Sequence, residues 1–186
     1  MLFPIGDEQV RGGHFPLFSY GFIALNVAIF LFQVNLPPGQ LNAFINDYGS
    51  IPAETIEGQD LFTLFTSMFL HGGWMHIIGN MLFLWVFADN IEATIGNFRF
   101  FIFYILGGLA AHAAHIYFNW GSPVPTVGAS GAIAAVMGAY LVMFPASRVR
   151  MLFFIFTFRI PAFVFLGFWI RSEEHTSELQ SLLIIS

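Results

Sequence analysis

The sequence predicts an all-α polytopic membrane protein, and three observations carry that expectation. Of 186 residues, 57% are hydrophobic and 9% charged, with a mean hydropathy of +0.75, whereas soluble domains carry roughly 25% charged residues. The apolar residues gather into runs near the ~20 residues a helix needs to cross a bilayer. Phenylalanine alone occurs 25 times, a load that suits lipid-facing and helix-packing surfaces better than a soluble core. The formal net charge of −5 and six scattered basic residues, all arginine, supply no stripe to neutralise phosphates, which argues against a nucleic-acid partner. Without cysteine there are no disulfides, thiolate nucleophiles or cysteine-based metal sites.

The first expected span covers residues 18–34, after Pro16 and before Leu36-Pro37-Pro38-Gly39. No A-x-A-like cleavage site accompanies it and further spans follow, so it reads as an anchor and not a removable signal. Residues 35–60 are polar and carry Asp47, Glu54, Glu57 and Asp60. The apolar run 61–70 is too short to span and stops at His71-Gly72-Gly73; it reads as interfacial or re-entrant, which requires a protein-covered or wet backbone. Further spans are expected over 74–95, 98–118 and, after a loop with Gly121, Pro123 and Pro125, over 130–144. The run 151–158, between arginines, is expected along the cytoplasmic interface, and Pro161 is well placed to open a fifth helix.

With spans alternating, Arg11, Arg99, Arg148 and Arg150 fall on one side, and the four acidic residues of 35–60 on the other. The positive-inside rule then puts the N-terminus in the cytoplasm, and a prokaryotic cytoplasmic membrane is the expected location. The fifth helix breaks off after Ile170 into Arg171-Ser-Glu-Glu-His-Thr-Ser-Glu-Leu-Gln-Ser181, about half a crossing from Pro161. That string resembles the conceptual translation of a sequencing-library adapter. The expected division is therefore a membrane domain over 1–170, lacking its sixth helix, and a non-native tail over 171–186.

Two local features bear on chemistry. Gly128-Ala129-Ser130-Gly131 opens an apolar helix, where unpaired backbone N–H groups and the macrodipole favour an oxyanion, and where glycines allow close backbone approach. The same tetrapeptide also reads as plain capping and small-residue packing. His76 and Asn80, four apart, share a helix face in an apolar segment. Such residues usually face the bundle interior, and both can donate hydrogen bonds, either to an oxyanion or simply between helices.

Taken in order, His71-Gly-Gly-Trp-Met-His76-Ile-Ile-Gly-Asn80, then Glu92-Ala-Thr-Ile-Gly96, then Gly128-Ala-Ser130-Gly131 resemble the rhomboid family of intramembrane serine proteases over residues 18–170. The segment Arg159-Ile160-Pro161-Ala162 is similar to that family's entry into its fifth helix. The resemblance implies a six-helix bundle, here with four complete spans and a truncated fifth, cleaving transmembrane protein substrates within the bilayer. It implies Ser130 as nucleophile and His76, Asn80 and the Ser130 amide as oxyanion donors, supported by Gly128, Gly131 and His71. Glu92 is implied to be structural. Ala134 departs from the tyrosine that some members carry.

The family's general base is a histidine on the sixth helix. The only histidine after Ser130 is His175, inside the suspect tail, and a serine–lysine dyad is impossible without lysine. The chain as it stands is expected to be nearly inert and its intact parent to be an endopeptidase. The alternative is a non-catalytic rhomboid-like protein that binds transmembrane clients. A transporter would call for inverted repeats, and none is visible. No cofactor or metal is expected. His112 and His115 are three apart with no nearby carboxylate or thiol and read as polar helix contacts. Trp120 reads as an interfacial anchor.

Overall fold

The computed structural model describes residues 2–6, 15–153, 156–164 and 167. In chain order these form β1 (Leu2–Gly6), α1 (Leu17–Val34), α2 (Pro38–Tyr48), α3 (Pro52–Ile56), α4 (Thr63–Thr66) running into a 3-10 turn (Ser67–Phe69), α5 (Trp74–Ile95), α6 (Asn97–Phe118), α7 (Ser130–Met143), β2 (Arg148–Phe153) and β3 (Phe156–Pro161). The suspected tail and most of the fifth helix lie outside the described residues.

Four long helices alternate in direction. The ends of α1 and α6 and the starts of α5 and α7 therefore meet at one end of the bundle. Among the described helices, α1 and α6 alone combine the length and apolarity of a membrane span. The third, α5, matches α6 in length at 22 residues. At 14 residues, α7 is about 21 Å long, short of a hydrocarbon core of about 30 Å. The run after residue 60 turns inward as short helical pieces, with Ser67, Met68, Phe69, Leu70 and His71 all buried. Both α2 and α3 begin at a proline, Pro38 and Pro52, whose missing N–H has no partner to lose at that position.

Small residues set the spacing of α6 and α7. A Cβ on Gly107 would stand 2.5 Å from the Ala135 Cβ, and one on Gly131 would stand 2.5 Å from the Ala111 Cβ. Backbones in apolar helices approach this closely only where side chains are nearly absent. On the other side of α6, Phe22 of α1 stacks on Tyr104 with ring centroids 4.2 Å apart. From α5, Glu92 is fully buried and takes hydrogen bonds from the Phe18 and Ser19 amides at 2.9 and 2.8 Å and from the Ser19 hydroxyl at 2.6 Å. A neighbouring helix thus caps the first turn of α1 with an anion, where the macrodipole favours one.

The all-α expectation fails at the end of the bundle remote from Ser130. There β1, β2 and β3 form an antiparallel sheet in that order, and the described residues of the run 151–158 lie in its strands. Along β2, Arg148, Val149, Arg150 and Met151 alternate exposed and buried, the period of a half-buried strand. Val149 and Met151 complete the core of the bundle. The pairing of β1 with β2 also brings the N-terminal segment to the side of Arg148 and Arg150.

Candidate active site

Ser130 is the first residue of α7 and is half-buried. The strand-like segment before it is pinned from three directions. The Gly128 amide donates to the Ser67 carbonyl at 2.8 Å. Thr126 and Ser50 exchange backbone hydrogen bonds at 3.0 and 2.8 Å, and the Thr126 hydroxyl lies 2.8 Å from His115 Nε2. Ser67 is itself held by α6, its hydroxyl 2.9 Å from His112 Nε2, while His112 Nδ1 lies 3.0 Å from the Gly108 carbonyl. A carbonyl only accepts, so neutral His112 carries its proton on Nδ1 and accepts a hydrogen bond from the Ser67 hydroxyl at Nε2. Both histidines of α6 therefore serve polar contacts with the loops, and no group of three or more metal-ligating side chains occurs among the described residues.

Gly128 is where the two sequence features meet. Its φ of +130° lies in the region that favours glycine. A Cβ there would stand 2.7 Å from His76 Nε2 and 3.8 Å from Asn80 Nδ2. The Gly72 amide donates to His76 Nδ1 at 3.3 Å, which leaves Nε2 of the neutral ring as an N–H donor facing the segment that leads to Ser130. Asn80 is only 5% exposed, and its Nδ2 has no hydrogen-bond partner among the described residues. A buried amide donor without a partner is costly.

Behind this pair sits His71, in the loop ahead of α5. Its backbone is clamped by Gln33 of α1, whose side-chain oxygen accepts the His71 amide at 3.1 Å and whose nitrogen donates to the His71 carbonyl at 3.2 Å. The His71 ring is 2% exposed and meets the His76 ring edge-on at 5.0 Å. Burial, reinforced by the His76 ring, pushes its pKa down to about 3, so it is neutral across the physiological range.

The structure brings His71, His76, Asn80 and Gly128 into one cluster at the N-terminal end of α7. A side chain at Gly128 would meet His76 and one at Gly131 would meet Ala111, so both glycines let the protein's own elements pack closely, the packing reading that the tetrapeptide also allows. Gln33 and Ser67 were not anticipated. A lone amide in the apolar stretch 18–34 is costly in a membrane and is the signal that would have marked Gln33; Ser67 gives no comparable signal.

Residues 58–175 match the model of the Rhomboid domain. The chain is 33% identical over 134 residues to Rhomboid protease GluP of Bacillus subtilis, covering 72% of this chain and 26% of that protein. It is 30% identical over 142 residues to the human mitochondrial presenilin-associated rhomboid-like protein, covering 74% and 36%. It is 26% identical over 156 residues to the mitochondrial Rhomboid protein 1 of Saccharomyces cerevisiae, covering 81% and 41%. The chain thus spans between about a quarter and two fifths of the length of these relatives, which come from both bacterial and mitochondrial settings. The domain match covers more than half of the chain, and with helices that set His76 and Asn80 beside the segment leading into Ser130, the chain belongs to the rhomboid family.

Proposed function

We propose that the protein is an intramembrane serine endopeptidase acting on transmembrane substrates. The observation that carries this reading is the closeness of the Gly128 backbone to His76 and Asn80. It collects two side-chain donors around the segment whose next helix opens with Ser130. The relative from Bacillus subtilis is itself called a rhomboid protease, which adds support.

In this reading the Ser130 hydroxyl attacks the scissile carbonyl, and its proton passes to a general-base histidine, the role that the family resemblance implies. The amine leaves with that proton, and water then hydrolyses the acyl-enzyme. His76 Nε2–H, the Asn80 amide and the Ser130 backbone N–H hold the oxyanion; each such donor is worth roughly 10²–10³ in turnover. The half-buried serine, at the mouth of a helix shorter than the bilayer, suits a hydrated pocket below the outer surface. Four helices, α1, α5, α6 and α7, cross the membrane, with the N-terminus cytoplasmic and a prokaryotic cytoplasmic membrane as the location.

The test joins residues 1–170 to their genomic continuation and follows cleavage of a transmembrane reporter. Cleavage is expected, and Ser130→Ala is expected to abolish it. Undiminished cleavage by that variant refutes the assignment.

A further inference from the structure

We infer that the outward face of the three-stranded sheet is a seat for anionic phospholipid headgroups at the membrane surface. Residues directly opposed on antiparallel strands point to the same face. Val149 and Met151 are fully buried against the bundle, so Arg148 and Arg150 occupy the opposite, exposed face of β2. Arg159 of β3 is opposed to Arg150 and is also exposed. Three of the six basic residues of the chain thus share one face of a small sheet.

Arg148 and Arg150 lie two apart on the exposed face of β2, so one phosphate can draw on both. Guanidinium groups suit that partner, since they bind phosphate through two parallel N–H···O bonds. Arg159 also engages in an interaction of its own, so Arg148 and Arg150 are the principal contacts.

A soluble anion would satisfy the arginines alone, but the aromatic residues point to lipid. Phe156 and Phe158 of β3 share the face of Met151, yet they are 69% and 41% exposed. Exposed aromatic rings on one side of a sheet with arginines on the other form an interfacial element, rings at the acyl boundary and cations at the phosphates. The sheet lies at the end of the bundle opposite Ser130, so this inference stands apart from the proteolytic reading.

The experiment uses the full chain in a neutral detergent, with bound lipid counted by native mass spectrometry against dioleoylphosphatidylglycerol, dioleoylphosphatidylcholine and inorganic phosphate. The wild-type chain is expected to retain phosphatidylglycerol in preference to phosphatidylcholine, and equimolar phosphate is expected not to displace it. Each arginine near an anionic surface contributes roughly fivefold in affinity, so Arg148→Gln with Arg150→Gln is expected to weaken phosphatidylglycerol binding about 30-fold and leave phosphatidylcholine unchanged. The charge-preserving pair Arg148→Lys with Arg150→Lys is expected to keep most of the preference. Equal retention of phosphatidylglycerol by the glutamine variant overturns the inference, as does displacement by phosphate. If the glutamine variant does not fold, a wild-type preference that persists unchanged in 1 M salt overturns it as well.

Discussion

His76 and Gly128 share one space: Nε2 of the ring stands 2.7 Å from where a Cβ on Gly128 would sit. The helix that carries His76 and the loop that leads to Ser130 are therefore in register only while residue 128 has no side chain. Gly128→Ala meets both this clash and an unfavourable φ of +130°, which alone costs of order 1–3 kcal/mol. Reporter cleavage by the intact parent is expected to fall at least tenfold. Adding His76→Ala removes the clash and leaves the backbone cost, so the double variant is expected to recover stability in detergent without recovering activity.

The cap on α1 gives a second prediction. Glu92→Ala strands two backbone amides and a hydroxyl that now donate to a buried carboxylate. Unpaired buried groups cost about 1–3 kcal/mol each, and a loss of about 3–5 kcal/mol is expected in denaturant titrations. Glu92→Gln keeps one acceptor oxygen and is expected to lose less than half as much.

The seam between α6 and α7 predicts opposite outcomes for two glycines of one helix. Gly131→Ala places a methyl 2.5 Å from Ala111, and overpacking of this kind costs about 1–3 kcal/mol. Gly138 has open space around its Cβ position; Gly138→Ala is expected to be neutral or to stabilise by up to about 1 kcal/mol. Thermal unfolding of both variants, measured side by side, checks the pair.

Acidity should act through His71. Folded His71 remains unprotonated down to about pH 3, against 6.5 for an unperturbed ring. Between those values the unfolded chain binds the extra proton, so stability is expected to fall as pH drops through the window. The slope is up to about 1.4 kcal/mol per pH unit. His71→Gln is expected to flatten that slope. An unchanged pH profile in this variant would remove His71 as the cause.

How much of this was legible in the sequence follows from how local each feature is. The long helices are local patterns, and residues 74–95 were delimited from hydropathy and the flanking glycines alone. Polar α2 and α3 lack an apolar run, and only Pro38 and Pro52 at their first positions hinted at them. The sheet was missed because the arginine-flanked run reads as interfacial and because β1 lies far from β2 in sequence, although the alternation from Arg148 to Met151 already had the period of a strand. Ser130, His76 and Asn80 emerge from motif spacing. The supports from Gln33 to His71 and from His112 through Ser67 to Gly128 are pairings across 38, 45 and 61 residues, and no periodicity encodes them.

The glycine and alanine seam has a mechanical consequence. Side chains this small have no rotamers through which two helices could slide or splay, and the Ser67–His112 tie fastens the loop before Ser130 to the same unit. So α6, α7 and the serine travel as a single plank. Any movement that opens this face of the bundle has to hinge on other parts of the chain. Among the described helices of more than one or two turns, α2 is the freest leaf, since none of its residues is buried.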